Sequence, residues 1–230
     1  MPRAFLEFSG NNPLYSRIHD SNRGVIRMAK KAALLAVLGL LLVFALPVMA
    51  AQGTAVPERV LGKERAPVVM EEFVSLTCPH CADFFLHTMP ELEKRYVETG
   101  KMRIILRDYP LDGVSLKAAA LARCMPADEY YPFIRILYEN QRAWATASNP
   151  DKTLIQYARL GGLDEERAKF CLNDPAMQGA IVASLNEAQQ KYDVKSTPTF
   201  VFNNGTEKME GAGKLENFTA VLDRLLAHSR

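Results

Sequence analysis

The chain has 230 residues, 48% hydrophobic and 23% charged, with a net charge of +2, an ordinary globular composition whose length suits one domain with an insertion. Residues 1–50 carry six Lys/Arg against two Asp/Glu, and the rest carries 22 against 24, so the basic surplus belongs to the leader. The body has no charge run, which excludes an electrostatic case for nucleic-acid binding.

From Met28 the leader reads "MAKKAALLAVLGLLLVFALPVMAAQG". Lys30 and Lys31 form a charged start, a leucine-rich core follows, and Pro47 precedes a small-residue exit. This is the pattern of a secretory signal peptide, with cleavage expected after Ala50. The 27 residues before Met28 are polar and patternless, so Met28 reads as the true start. The alternative is an uncleaved anchor, because residues 32–51 are 20 residues without a charge. Either reading places the body outside the cytoplasm, in a periplasm or another extracytoplasmic space.

After a polar linker, "APVVMEEFVSLT" carries the β-branched character of a buried strand. "CPHCADFFLHTMPELEKRYVETG" predicts a helix, with Phe84, Phe85, Leu92 and Tyr96 at helical spacing, a break or kink at Pro90 and an end at Gly100. "KMRIILRDYP" predicts a second strand, parallel to the first across a right-handed crossover. A long helical stretch follows, with Asn149 before Pro150 as one expected cap. "STPTFVFNNGTEKMEGAG" then returns to strand, turn and strand. A closing helix aligns Leu215, Phe218, Val221, Leu222 and Leu225. The expected α/β organisation is a βαβ half over 56–113, a helical insert over 114–193 and a ββα half over 194–230.

The chemistry sits in "LTCPHCADFF". Cys78 follows a strand and opens a helix, with Pro79 at the first helical position, where a missing N–H costs nothing. Cys81 lies three residues on, on the same helix face. Unpaired N–H groups and the positive end of the helix dipole favour the Cys78 thiolate, and His80 adds a polarising neighbour when protonated. Buried Cys81 is expected to stay a thiol. Stabilising the thiolate stabilises the reduced pair, so its disulfide becomes a stronger oxidant. A zinc site and a purely structural staple are the alternatives. Zinc usually needs a second close pair, whereas Cys124 and Cys171 are 47 positions apart and His87 is the nearest extra ligand. A Cys78–Cys81 staple closes too small a loop to constrain the unfolded chain much.

"EFVSLTCPHC" after a strand, with "STPTFVF" after a helical insert, resembles the DsbA-type thiol:disulfide oxidoreductases of the thioredoxin superfamily. The resemblance runs from about Val56 to the C-terminus. It implies a thioredoxin fold with an inserted helical subdomain, Cys78 as nucleophile and Cys81 as resolving thiol. It also implies a cis-proline at Pro198 beside the disulfide, with Thr197 offering its backbone to an extended substrate peptide. Glu72 matches a buried acid that helps move the proton of the resolving cysteine, the alternative being a strand-edge charge.

The function so implied is an exported oxidase that donates its Cys78–Cys81 disulfide to folding secreted proteins. A DsbB-like membrane quinone oxidoreductase would restore it, with no bound cofactor or metal. Two features depart from the family pattern. Thr197 stands where many DsbA proteins carry valine and related isomerases carry threonine, so an isomerase or reductase is the alternative within the class. Those isomerases carry an N-terminal dimerisation domain, and the stretch before Val68 is too short for one, so a monomer is expected. The second departure is Cys124 and Cys171, for which a second disulfide is expected in the oxidising compartment, the alternative being two buried free thiols. Outside the class, the alternative is a noncatalytic chaperone-like binding module.

Overall fold

The computed structural model describes residues 56–229. The leader, its cleavage position and the candidate anchor over 32–51 lie outside the described residues. Among the described residues no helix is long and apolar enough to cross a membrane.

Five strands form one sheet. They are β1 (Val60–Leu61), β2 (Val68–Val74), β3 (Met102–Asp108), β4 (Thr199–Phe202) and β5 (Glu207–Glu210), in the spatial order β1-β3-β2-β4-β5. β2 and β3 run parallel, with Met70 opposite Ile104, and the other pairings are antiparallel. β2 is central and covered on both faces, so six of its seven residues are buried. That is why it reads as a nearly continuous apolar run with two acids in it.

Alternation along β2 and β4 separates two cores. Met70, Val74, Phe200 and Phe202 face the main one, and Phe73 and Val201 face a smaller one with Tyr109, Ala188 and Val194. Over the main face lie the helical run α1 (79–97) and the C-terminal helix α8 (Leu215–His228). Phe84 of α1, Phe200 of β4 and Phe218 of α8 meet with ring centroids 4.4–5.0 Å apart, and all three are fully buried. Burying rings of this size dominates the energetics of such a core.

α1 does not break at Pro90. The helix widens instead, with π-type turns at Phe84–Thr88 and Glu93–Val97 around the α-helical segment Met89–Leu92. The Met89 N–H donates to the Phe84 carbonyl five residues back. A proline removes one helical donor and crowds the carbonyl four residues before it; widening the turn just ahead of Pro90 accommodates both effects. Gly100, at φ +73°, ends the run. β1 has only two residues and lies in the stretch that the sequence reads as a polar linker.

Between β3 and β4 the chain is helical: α2 (Gly113–Arg123), α3 (Tyr130–Glu139), α4 (Gln141–Ala145), α5 (Pro150–Leu160), α6 (Glu165–Leu172) and α7 (Pro175–Tyr192). Their starts are set by local polar chemistry. Asp112, Asn149, Asp164 and Asp174 each accept a backbone N–H of the first turn of α2, α5, α6 and α7. Cys124, at the end of α2, is bonded to Cys171 of α6. The bond closes a loop across 47 positions. Replacing both cysteines with alanine is expected to lower stability by about 4 kcal/mol on the chain-entropy account. Urea unfolding of parent and double variant measures this, and coincident curves would show that the bond adds nothing.

Candidate functional site

β2 ends at Val74, and a three-residue turn delivers Cys78 to the start of α1. Cys78 has extended backbone angles (φ −78°, ψ 119°), Pro79 occupies the first helical position, and the Cys78 side chain makes no capping hydrogen bond. The Cys78 sulfur therefore stands where a serine or aspartate oxygen would otherwise accept the free N–H groups. Its side chain is only 6% exposed, whereas Cys81 is fully buried.

These surroundings split the two thiols. A hydrogen bond from the Cys81 thiol is the largest influence on Cys78, and the Thr197 side chain and the backbone N–H groups of Cys81 and His80 add to it. Against the opposing cost of burial, they bring the Cys78 pKa from 9.0 down to about 5. Cys81 moves far upward, first because it is buried and then because it faces the Cys78 anion. The help from the helix start is thus the proximity of two backbone N–H groups, without a formed cap. The His80 ring is exposed, and its backbone N–H is among the groups that lower the Cys78 pKa.

β4 brings the second half of the chain to the sulfurs. The Thr197–Pro198 peptide bond is cis, and the Cys78 Sγ lies 3.4 Å from the Thr197 carbonyl oxygen, to which only the protonated thiol can donate. The Thr197 hydroxyl is buried with no aligned partner, yet it lies close enough to lower the pKa of both cysteines. Glu72 belongs to the β2 face shared by Met70 and Val74, beneath α1. Its carboxyl is completely buried, and neither oxygen has a hydrogen-bond partner among the described residues. Burial alone lifts its pKa from 4.5 to about 8. The buried Tyr138 phenol feels both Cys81 and Glu72. Glu71 points to the opposite face, where Arg107 Nε donates to it at 2.8 Å and the Tyr192 hydroxyl at 2.9 Å. Among the described residues no group of three or more His, Cys, Asp and Glu side chains is placed to hold a metal ion.

The thioredoxin family profile matches residues 54–224. The crystal structure of Wolbachia pipientis alpha-DsbA1 is similar at 32% identity, over 75% of this chain and 92% of that one, with a TM-score of 0.69. The chain belongs to the DsbA-type thiol:disulfide oxidoreductases of the thioredoxin superfamily. Among curated proteins, the "Putative protein-disulfide oxidoreductase RP025" of Rickettsia prowazekii is 31% identical over 170 residues, 74% of this chain. This chain spans 61% of that relative's length. Oxidised BdbD from Bacillus subtilis shares the fold, with a TM-score of 0.66 at 20% identity over 74% of this chain and 93% of that one.

This DsbA-type site has a support that sequence reasoning missed. Residues 75–78 are held by side chains of the helical insert and its entry loop. Ser115 Oγ accepts the Leu76 N–H at 3.1 Å and lies 2.8 Å from Ser75 Oγ. Thr77 Oγ1 donates to Asp112 at 2.7 Å, and Gln141 donates to the carbonyls of Leu76 and Cys78. A serine, an aspartate and a glutamine in a helix-rich stretch carry no motif, so nothing in the sequence singles them out.

Proposed function

We propose that this DsbA-type protein is an exported dithiol oxidase that passes the Cys78–Cys81 disulfide to folding secreted proteins. The observation that carries this reading is the asymmetry of the two sulfurs: an anion-stabilising seat for Cys78 and a buried, proton-retaining seat for Cys81. A substrate thiolate attacks Cys78 Sγ, and the S–S bond to Cys81 breaks. The departing Cys81 sulfur takes up a proton, and Glu72, on the β2 face beneath α1 and neutral at pH 7 with a pKa of about 8, is the buried acid suited to supply it. A second substrate thiolate then attacks the substrate sulfur and expels Cys78 as a stable anion. Two electrons leave the substrate dithiol, and the protein is left with one thiol and one thiolate.

The direction of transfer follows from the anion. A Cys78 pKa two units below pH 7 makes the pair more oxidising by about 60 mV than an unassisted cysteine would. A low-pKa thiolate also leaves readily from the mixed disulfide. Reoxidation needs a two-electron acceptor, for which family resemblance supports a DsbB-like membrane quinone oxidoreductase. The signal-like leader supports export, and the backbone at Thr197 and Pro198 is the proposed strip for an extended substrate.

Equilibration of the purified protein with glutathione tests the reading. A disulfide reduced far more readily than a structural bridge is expected, together with fast oxidation of a dithiol peptide. A pair as hard to reduce as an ordinary structural disulfide would defeat it. Thr197 favours the isomerase as the second reading. Fast repair of a scrambled substrate combined with slow dithiol oxidation would establish that alternative.

A further inference from the structure

We infer that Gln141, in the helical insert, is a positioning residue for thiol–disulfide exchange at Cys78, because its side-chain amide ties the insert to the turn that carries the nucleophile. This rests on the reading of Cys78 and Cys81 as a redox pair. One nitrogen, Nε2, donates to the Leu76 carbonyl at 2.8 Å and to the Cys78 carbonyl at 2.9 Å. Its two hydrogens span the turn on either side of Thr77. Residue 141 is 63 positions from Cys78, so no local rule of chain geometry brings them together.

The platform beneath Gln141 is fixed. It opens the short helix α4, whose Trp144 is fully buried and donates its indole N–H to the Leu137 carbonyl at 2.7 Å. The Asn140 amide closes the end of α3 on the Ile136 carbonyl. The rotation of the Gln141 amide is therefore the main freedom left between insert and turn.

The two carbonyls differ in what else they have. The Cys78 oxygen also accepts the N–H groups of Cys81 and Ala82. The Leu76 oxygen has no other partner among the described residues, and Leu76 is 1% exposed. Without Gln141, a buried carbonyl loses its donor, and the turn must shift to satisfy it. Such a shift moves the extended backbone of Cys78 and carries Sγ away from the groups that hold its charge, the Cys81 thiol first and then the Thr197 hydroxyl and the backbone N–H groups of Cys81 and His80. Donors aimed at a charge before it forms are worth most when they need not reorganise.

The experiment compares the full chain with Gln141→Met, which keeps length and loses both donors, and with Gln141→Glu, which keeps shape and places an anion against two carbonyls. Gln156→Met, at an exposed position of α5, is the control. Thiolate absorbance gives the Cys78 titration midpoint, and glutathione equilibration gives the redox constant. Gln141→Met is expected to raise the midpoint by about half to one pH unit and to move the equilibrium about three- to tenfold toward the disulfide. Gln141→Glu is expected to go further and the control not to move. Unfolding of the oxidised form should change less than unfolding of the reduced form. An unchanged midpoint in either folded variant overturns the role, as does loss of the fold in both, which would make Gln141 a folding residue. A parent midpoint near that of free cysteine defeats the functional reading itself, whereas a low parent midpoint with unmoved variants defeats only the role of Gln141.

Discussion

Replacing Cys78 with serine is expected to lower dithiol oxidation by about a thousandfold or more, because the displaced bond needs a sulfur at this position. The remaining Cys81 cannot take over. It is fully buried and its thiol holds its proton far above the ordinary range. Cys81→Ser is expected to behave differently. Cys78 stays a thiolate and attacks disulfides, but no resolving thiol releases the product, so mixed disulfides accumulate. Non-reducing gels separate these outcomes, and alkylation of the reduced parent at pH 7 should label Cys78 alone. A Cys78→Ser chain that retains its biological activity would transfer the assignment to the noncatalytic binding module.

The second large effect is on stability against pH, where Glu72 and Cys78 act with opposite signs. Glu72 has a folded pKa of about 8 against an ordinary 4.5, so it binds more protons folded than unfolded. Its favourable contribution is complete below about pH 4.5 and is lost as pH rises through about 8. Cys78 has a folded value of about 5 against an ordinary 9.0, so its contribution is complete above about pH 9 and is lost as pH falls through about 5. Only the reduced form contains the titrating Cys78. The oxidised form is therefore expected to lose stability by roughly 1.4 kcal/mol per pH unit between about pH 5 and 8. In the reduced form the two slopes oppose each other, and stability should change little across the same window.

Glu72→Gln removes one of the two slopes. The oxidised variant should show a flat profile and exceed the parent by about 2–3 kcal/mol at pH 7, allowing for the unpaired amide that replaces the acid. Chemical denaturation of both redox forms at pH 5, 6, 7 and 8 provides the comparison. If the oxidised parent keeps a constant stability over that range, Glu72 is not held neutral by the fold, and its part in delivering a proton to Cys81 goes with it. The stability gained by Glu72→Gln should be accompanied by slower exchange, which would show that the buried acid is kept for chemistry at a cost to the fold.

Much of this protein could be read from local signals. A strand running into Cys-Pro-His-Cys at a helix start, a long helical interval and a strand–turn–strand ending in an amphipathic helix describe the thioredoxin fold with its insert. These features depend on neighbours in the chain: apolar periodicity, proline at a first turn, and asparagine or aspartate at a cap. The accommodation of Pro90 was less accessible, because whether a helix breaks or widens depends on what its faces must bury, here Phe84, Phe85 and Leu92.

Period-two alternation dictates that Glu71 and Glu72 face opposite ways, but it cannot say which of them lies under α1. Packing settles that: Glu71 finds Arg107 and Tyr192, whereas Glu72 is enclosed with no hydrogen-bond partner among the described residues. The same holds for the Thr197 carbonyl at the nucleophile and for Gln141 beneath the turn, contacts between residues 119 and 63 positions apart. Spacing along a chain encodes which face a side chain takes and where a helix starts. Which distant groups close around a sulfur, and therefore how its charge is stabilised, is decided only when the sheet and the insert pack together.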